Sequence, residues 1–349
     1  MVAAILRPNR NVWRIEHAHR VAVLIDGAAF FRAVRQAFLK ARRRIIVLGW
    51  DIDSRTRLMG ETEPDDGFPL ALSDFLTELV RRRPDLRVDL LLWDYPVVYA
   101  GEREPFPRLS LQWQTPEQVT LCLDGTVPFG CSQHQKIIVV DDAVAFSGGL
   151  DLTIRRWDTP EHAIENKERV APSGKAYPPF HDVQMLVDGA AARSLAEIAR
   201  NRWQRATRRA MHVAQPCINS DCWPDHVRPD FTDVGVGIAR TRPRCGDRRE
   251  VREVEALFLD SIDAAQHTIY IENQFVTSPM IARRLARQLR KRRTLELVIV
   301  APQQHESWIE KRSMRNGRIR FRRTLQRAAS ERVRLLSPSV GDGETPVDT

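Results

Sequence analysis

His134-Gln135-Lys136-Ile137-Ile138-Val139-Val140-Asp141 is the stretch with the most chemistry in this chain. A histidine and a lysine two residues apart head an apolar run, alternating as a strand with one polar face does. Both side chains then point the same way, ahead of a turn at Asp141-Asp142. Packing gains little from a paired His and Lys in a β-run. Phosphate chemistry gains a nucleophile in the imidazole and an anion clamp in the ammonium. In the following Ala143-Val144-Ala145-Phe146-Ser147-Gly148-Gly149-Leu150-Asp151, small residues are expected to let backbone N–H groups approach an anion. Ser147 and Gly149 are therefore candidate substrate-binding positions.

The rest of the sequence supplies a frame for this motif. With 349 residues, 43% hydrophobic and 28% charged, the chain has ample material for two domains or one large pseudo-symmetric one. No apolar run approaches bilayer length, so a soluble or peripheral protein is expected. The net charge is +9, and only six of the 54 basic residues are lysines. A basic surface favours polyanions, whether anionic lipid headgroups or nucleic acid, and charge does not choose between them. Five cysteines (Cys122, Cys131, Cys217, Cys222, Cys245) without regular spacing suit a reducing, cytoplasmic compartment. Cys217 and Cys222, near His212 and His226, match no standard zinc spacing and are expected to be ordinary thiols.

Strands and helices alternate through the first half: 21–27, a helix over 28–43, a strand at 45–50, a helix over 73–83 capped by Ser73, and a strand at 88–94. The order repeats later, with a helix over 253–265, a strand at 268–275, a helix over 280–292 and a strand at 295–301. Such units predict an α/β fold with a largely parallel sheet and helices on both faces. The predicted organisation is a duplicated α/β/α sandwich: a first half over 1–216, a linker rich in Pro, Asp and Gly over 217–244, and a second half over 245–349. The site is expected where the two halves meet. No second H-x-K occurs, and the position equivalent to His134 in the repeat falls near residue 341 or later. The second half is therefore expected to be incomplete, with its motif in a longer parent chain.

The H-x-K-x4-D pattern and its glycine pair resemble the phospholipase D superfamily, in particular bacterial phospholipase D and cardiolipin-synthase-like enzymes. Asn11-Val12-Trp13-Arg14, Asp26-Gly27, Gly49-Trp50-Asp51-Ile52-Asp53, Arg156-Trp157-Asp158, Phe180-His181-Asp182-Val183-Gln184 and Ile271-Glu272-Asn273-Gln274 carry the resemblance from about residue 10 onward. It implies a pseudo-twofold phospholipase D fold and a metal-independent, cofactor-free phosphodiester exchange. On this reading His134 attacks phosphorus to give a phosphohistidine, and Lys136 holds a non-bridging oxygen. Asp141 completes the motif and is counted with the catalytic set, bracing the turn and loop rather than touching substrate. Asp182 either receives the histidine N–H or is a polar strand position. Glu272, Asn273 and Gln274 end a strand, where α/β ligand sites form, or else cap a helix. Asp151 stands where a second motif would carry Asn. The implied substrate is a glycerophospholipid at an anionic membrane surface, hydrolysed or transferred, with nucleic acid as the alternative and a non-catalytic phosphate binder as a third reading. Lacking a second histidine as general acid, the chain alone is expected to be nearly inactive.

Overall fold

The computed structural model describes residues 5–60, 63, 65–94, 115–128, 130–211, 221–302, 308–341 and 345–347. The chain divides into two units, Glu16–Val236 and Met1–Ile15 with Gly237–Thr349.

The larger unit is built on an eight-stranded sheet ordered β4-β3-β2-β5-β6-β7-β1-β8. Its strands are β1 (Arg14–Ile25), β2 (Arg44–Gly49), β3 (Arg87–Trp93), β4 (Val119–Asp124), β5 (Ile137–Val140), β6 (Val144–Gly148), β7 (Val183–Asp188) and β8 (Phe231–Ile238). Helices α1 (Asp26–Lys40) and α2 (Leu72–Arg82) follow β1 and β2, and α3 (Gly189–Thr207) follows β7. Strand β2 reads as an unbroken apolar run because both its faces are covered. Ile45 and Val47 join Phe30, Phe38, Phe75 and Leu76 of α1 and α2 in one core. Ile46 and Leu48 join Ala191, Ala192, Ala196 and Ala199 of α3 in the other. Small alanines let α3 lie close against the sheet, and the result is an α/β/α sandwich.

The largely parallel sheet predicted from the strand–helix alternation is corrected. The β2–β3 and β3–β4 pairs are parallel. The β2–β5, β5–β6, β6–β7 and β1–β7 pairs are antiparallel. The physical reason is a tight hairpin. Ala143 N–H donates to Val140 O at 3.0 Å, and the two central residues, Asp141 and Asp142, have φ of 52° and 53°. Positive φ at both positions suits the right-handed twist of paired strands and forces β6 back beside β5. Helix α2 begins one residue earlier than expected, so Ala71 holds the cap position and Ser73 lies in the first turn.

The linker expected over 217–244 is corrected too. Cys222 and Trp223 are buried in the larger core, and β8 is the sheet's outer strand. Residues 217–220 lie outside the described residues.

The smaller unit holds β9 (Thr241–Arg242), β10 (Val251–Arg252), α4 (Glu253–Ala264), β11 (Thr268–Glu272), α5 (Pro279–Lys291), β12 (Glu296–Val300), α6 (Trp308–Ala329) and β13 (Val333–Leu336). Strands β14 (Ser339–Val340) and β15 (Thr345–Pro346) form a short antiparallel pair. β11, β12 and β13 are parallel and adjacent, repeating β2, β3 and β4. No described residues of this unit form counterparts of β5, β6, β7 and α3. One sheet face packs under Leu285, Leu289, Phe321 and Leu325. Opposite it, Tyr270 is 60% and Leu336 52% exposed, on the side that α3 covers in the larger unit.

Residues 5–13 belong with this smaller unit, not with the first half as predicted. Buried Asn11 accepts from Arg7 N and donates to Ile5 O and to Asp260 of α4, while Arg10 donates two hydrogen bonds to the same carboxylate. Among the described residues, no helix is long and apolar enough to cross a membrane.

Candidate active site

β5 begins at Ile137, so His134 and Lys136 lie in the extended segment leading into the strand rather than within it. Their side chains nevertheless meet. Lys136 Nζ lies 3.4 Å from both ring nitrogens of His134. Equal distances mean the ammonium is aimed at neither lone pair, and the contact is loose. The firm partner of Lys136 is Asp151, whose Oδ2 is 3.1 Å from Nζ, with both side chains almost fully buried. Asp151 is held in turn by Trp50 N–H, which donates to its Oδ1 at 2.9 Å. Burial pulls the Lys136 pKa below the ordinary lysine range, against the opposing pull of Asp151 and then Asp182. Trp50 lies 6.0 Å from the His134 ring, centroid to centroid, and stacks on Trp93 at 6.1 Å.

Asp182 immediately precedes β7. Burial raises its pKa, opposed by the Val183 N–H it accepts and by the charges of Lys136 and Arg156. The glycine pair exists to admit this strand. A Cβ on Gly148 would lie 2.1 Å from Gln184 Oε1, and one on Gly149 would lie 2.1 Å from Asp182 Oδ1. Gly149 N–H donates to Val183 O and Leu150 N–H to Gln184 Oε1. The expectation that backbone N–H groups here meet an anion is therefore corrected: these two are spent inside the sheet, and small size serves close approach of β7.

Ser147 pairs with Ile137 and Met185, and the pleat sends it with Ala145 toward the α3 layer. Gln184, on the other face, lines up with Gly148. Asp141, counted with the catalytic set from the motif, lies apart from His134 and Lys136. It sits beyond the far end of β5, about 16 Å of strand away from Lys136. There its carboxylate accepts from the backbone N–H groups of Arg42, Arg43 and Arg44 at 2.7–2.8 Å. Three donors from one loop make it an anchor between β5 and β2.

Glu272, Asn273 and Gln274 lie in the smaller unit at the end of β11. Asn273 Oδ1 accepts from Phe275 N–H at 2.8 Å, folding a local turn, and Asn273 lines a cleft with Phe258, Phe275 and Phe321. Glu272 is exposed, with Tyr270 OH 3.5 Å away.

Sequence reasoning missed a second cluster beside Asp182. Asp26, fully buried with φ of 67°, opens α1. His181 Nδ1 is 2.6 Å from Asp26 Oδ1, and His162 Nε2 is 3.5 Å from Oδ2. His162 Nδ1 also lies 3.0 Å from Asp158 Oδ2, and Asp158 pairs with buried Arg169. The available signals were the four-residue spacing of Asp158 and His162 and the Asp26-Gly27 pair. Gly27 is required because a Cβ there would lie 1.9 Å from Arg156 O. Elsewhere, Cys222 Sγ is 3.8 Å from Asp141 Oδ2 and His226 Nδ1 is 2.8 Å from Gln36 Oε1, so these two residues have separate partners. Cys217 and His212 lie outside the described residues.

The family model described as Phospholipase D matches residues 118–223, which include His134, Lys136, Gly149 and Asp182. Among curated proteins, phospholipase D A of Dictyostelium discoideum is 23% identical over 329 residues, covering 83% of this chain and 25% of the relative. Phospholipase D beta 2 of Arabidopsis thaliana is 26% identical over 319 residues, covering 68% of this chain and 34% of the relative. The chain thus spans only about a quarter to a third of the length of these relatives. Among solved structures, phosphatidylserine synthase of Haemophilus influenzae Rd KW20 aligns over 97% of this chain and 78% of its own, at 12% identity and a TM-score of 0.49. A phospholipase D family member, Nuc from Salmonella typhimurium, aligns over 55% of this chain and 99% of its own, at 16% identity and a TM-score of 0.32.

Proposed function

Because the chain belongs to the phospholipase D superfamily, we propose that it serves phosphodiester exchange on glycerophospholipids, by hydrolysis or by transfer of the phosphatidyl group to another alcohol. The observation that carries the reading is the meeting of His134 with a buried, ion-paired Lys136 beside Asp182. His134 attacks phosphorus, the P–O bond to the leaving alcohol breaks, and a phosphohistidine remains. Water or a second alcohol then takes the phosphoryl group and frees the imidazole. Lys136 offsets charge on a non-bridging oxygen in a dry setting, where that attraction is strongest. Asp182 steadies the charged group beside it. No metal or cofactor enters these steps.

Protonating the leaving alkoxide falls to a second histidine, and these 349 residues carry one H-x-K. Missing general acid help costs on the order of 10²–10⁴-fold. Residues 1–349 alone should therefore turn over natural diesters slowly. The surroundings proposed for the reaction are an anionic membrane surface on the cytoplasmic side, matched to the net charge of +9.

Bis(p-nitrophenyl) phosphate tests the nucleophile, because nitrophenolate leaves without a general acid. We expect a burst of one nitrophenolate per chain and an acid-labile phosphoenzyme, both lost in His134→Ala. A burst that survives this change overturns the assignment. Trapping of phosphoenzyme from phosphatidylglycerol or phosphatidylcholine vesicles supports the lipid reading. Trapping from single-stranded DNA alone replaces it with a nucleic-acid phosphodiesterase.

A further inference from the structure

We propose that Asp26, His162 and His181 form a site for a divalent ion of the zinc or cobalt class, outside the reaction, which braces the turn carrying Asp182. The donor atoms of the three residues lie within 4.8 Å of one another. Proton bookkeeping shows why an ion belongs among them. Asp158 accepts from Arg169, from Thr159 N–H and from Phe180 N–H, so its carboxylate can only accept from His162 as well. That fixes a proton on His162 Nδ1. That leaves Nε2 facing Asp26 Oδ2, 3.5 Å away. Asp26 Oδ2 is buried and accepts no hydrogen bond among the described residues. A ring nitrogen facing a buried carboxylate oxygen calls for positive charge between them, which a metal ion supplies as well as a proton does.

The geometry suits a metal. Zinc binds imidazole nitrogen and carboxylate oxygen at about 2.0–2.2 Å, which sets neighbouring ligands of a tetrahedral shell roughly 3.3–3.5 Å apart. The His162–Asp26 separation already fits. His181 Nδ1, now 2.6 Å from Asp26 Oδ1, shares a proton with it. Metal binding releases that proton to solvent and lets the pair relax outward. A carboxylate holding the remote N–H of a ligating histidine, as Asp158 holds His162, is the usual outer-shell arrangement. Two imidazoles and one carboxylate select zinc or cobalt over calcium or magnesium, which prefer oxygen. The consequence is positional. Asp26 N–H donates to Asp182 O at 2.9 Å and Asp182 N–H to Asp26 Oδ1 at 3.3 Å, so an ion on Asp26 fixes the backbone of the residue facing Lys136.

The test is a Co²⁺ titration of the whole chain, read by visible ligand-field absorption and calorimetry. His17 and His19, each with a ring nitrogen 3.6 Å from Asp233 Oδ1, form an exposed group of donors, so the titration is repeated in His17→Ala/His19→Ala. We expect one saturable Co²⁺ that survives this double change, is displaced by Zn²⁺ and releases about one proton per ion. His162→Gln should weaken binding by at least about 10–100-fold. If that variant fails to fold, selective paramagnetic broadening of the His162 and His181 ring signals in the unaltered chain gives the same answer. The proposal is overturned if no saturable band forms, if the band persists in folded His162→Gln, or if the double change at His17 and His19 abolishes it.

Discussion

Gly149 and Asp182 share one space: a methyl group on Gly149 would lie 2.1 Å from Oδ1 and 2.4 Å from Oδ2 of the carboxylate. Gly149→Ala should therefore push Asp182 away from Lys136 while leaving the sheet paired. A displacement of about 1 Å costs on the order of 10²-fold in a positioned site. Single-turnover phosphoenzyme formation by Gly149→Ala, with circular dichroism as the folding control, checks this. A rate within a few-fold of the parent would show that the close approach has no catalytic meaning.

Lys136 gives the reaction an alkaline limit. The clamp works only when protonated, and burial holds its pKa below the ordinary lysine range. Phosphoenzyme formation should therefore decline at a lower pH than an exposed lysine would dictate. Stability has the opposite sign. Between the folded and unfolded pKa values the unfolded chain binds more protons at this residue, so its contribution to stability rises with pH. A pH–rate profile flat through the ordinary lysine range would contradict the first expectation.

Asp141 and its three backbone donors predict a stability defect without a chemical one. Asp141→Ala strands the N–H groups of Arg42, Arg43 and Arg44. An unmet donor costs about 1–3 kcal/mol where it stays dry, and less at Arg42 and Arg43, which are exposed. Urea unfolding should show a loss of at least about 2 kcal/mol, with the burst rate of the surviving folded protein unchanged. A selective loss of the burst would return Asp141 to the catalytic set.

Arg202 of α3 and Asp124 at the end of β4 are both fully buried and 2.9 Å apart. Removing one partner leaves an uncompensated charge in the core, which typically costs about 3–5 kcal/mol. Asp124→Ala should show that loss in denaturant unfolding. A change under about 1 kcal/mol would mean that water reaches the pair.

What the sequence determined by itself was local. The apolar run 137–140, the turn at Asp141-Asp142 and the repeated strand–helix–strand order all follow from residues close together in the chain. Periodicity and turn chemistry act over a few residues and are readable there. The H-x-K spacing, read together with Asp141 and Ser147-Gly148-Gly149, marked His134 and Lys136 as candidates. Tertiary structure decided what depends on distant partners. Asp151 became the counter-ion of Lys136 because Trp50 N–H, about a hundred residues earlier, holds it. Asp26 met His181 across 155 residues, and Asn11 reached Asp260 across 249, carrying the amino-terminal segment into the other unit. The antiparallel half of the sheet arose from the return of β6 beside β5, and the glycine pair acquired its purpose only when β7 lay against it. No local pattern encodes such pairings, because each is selected by burial and charge compensation once the chain has closed on itself.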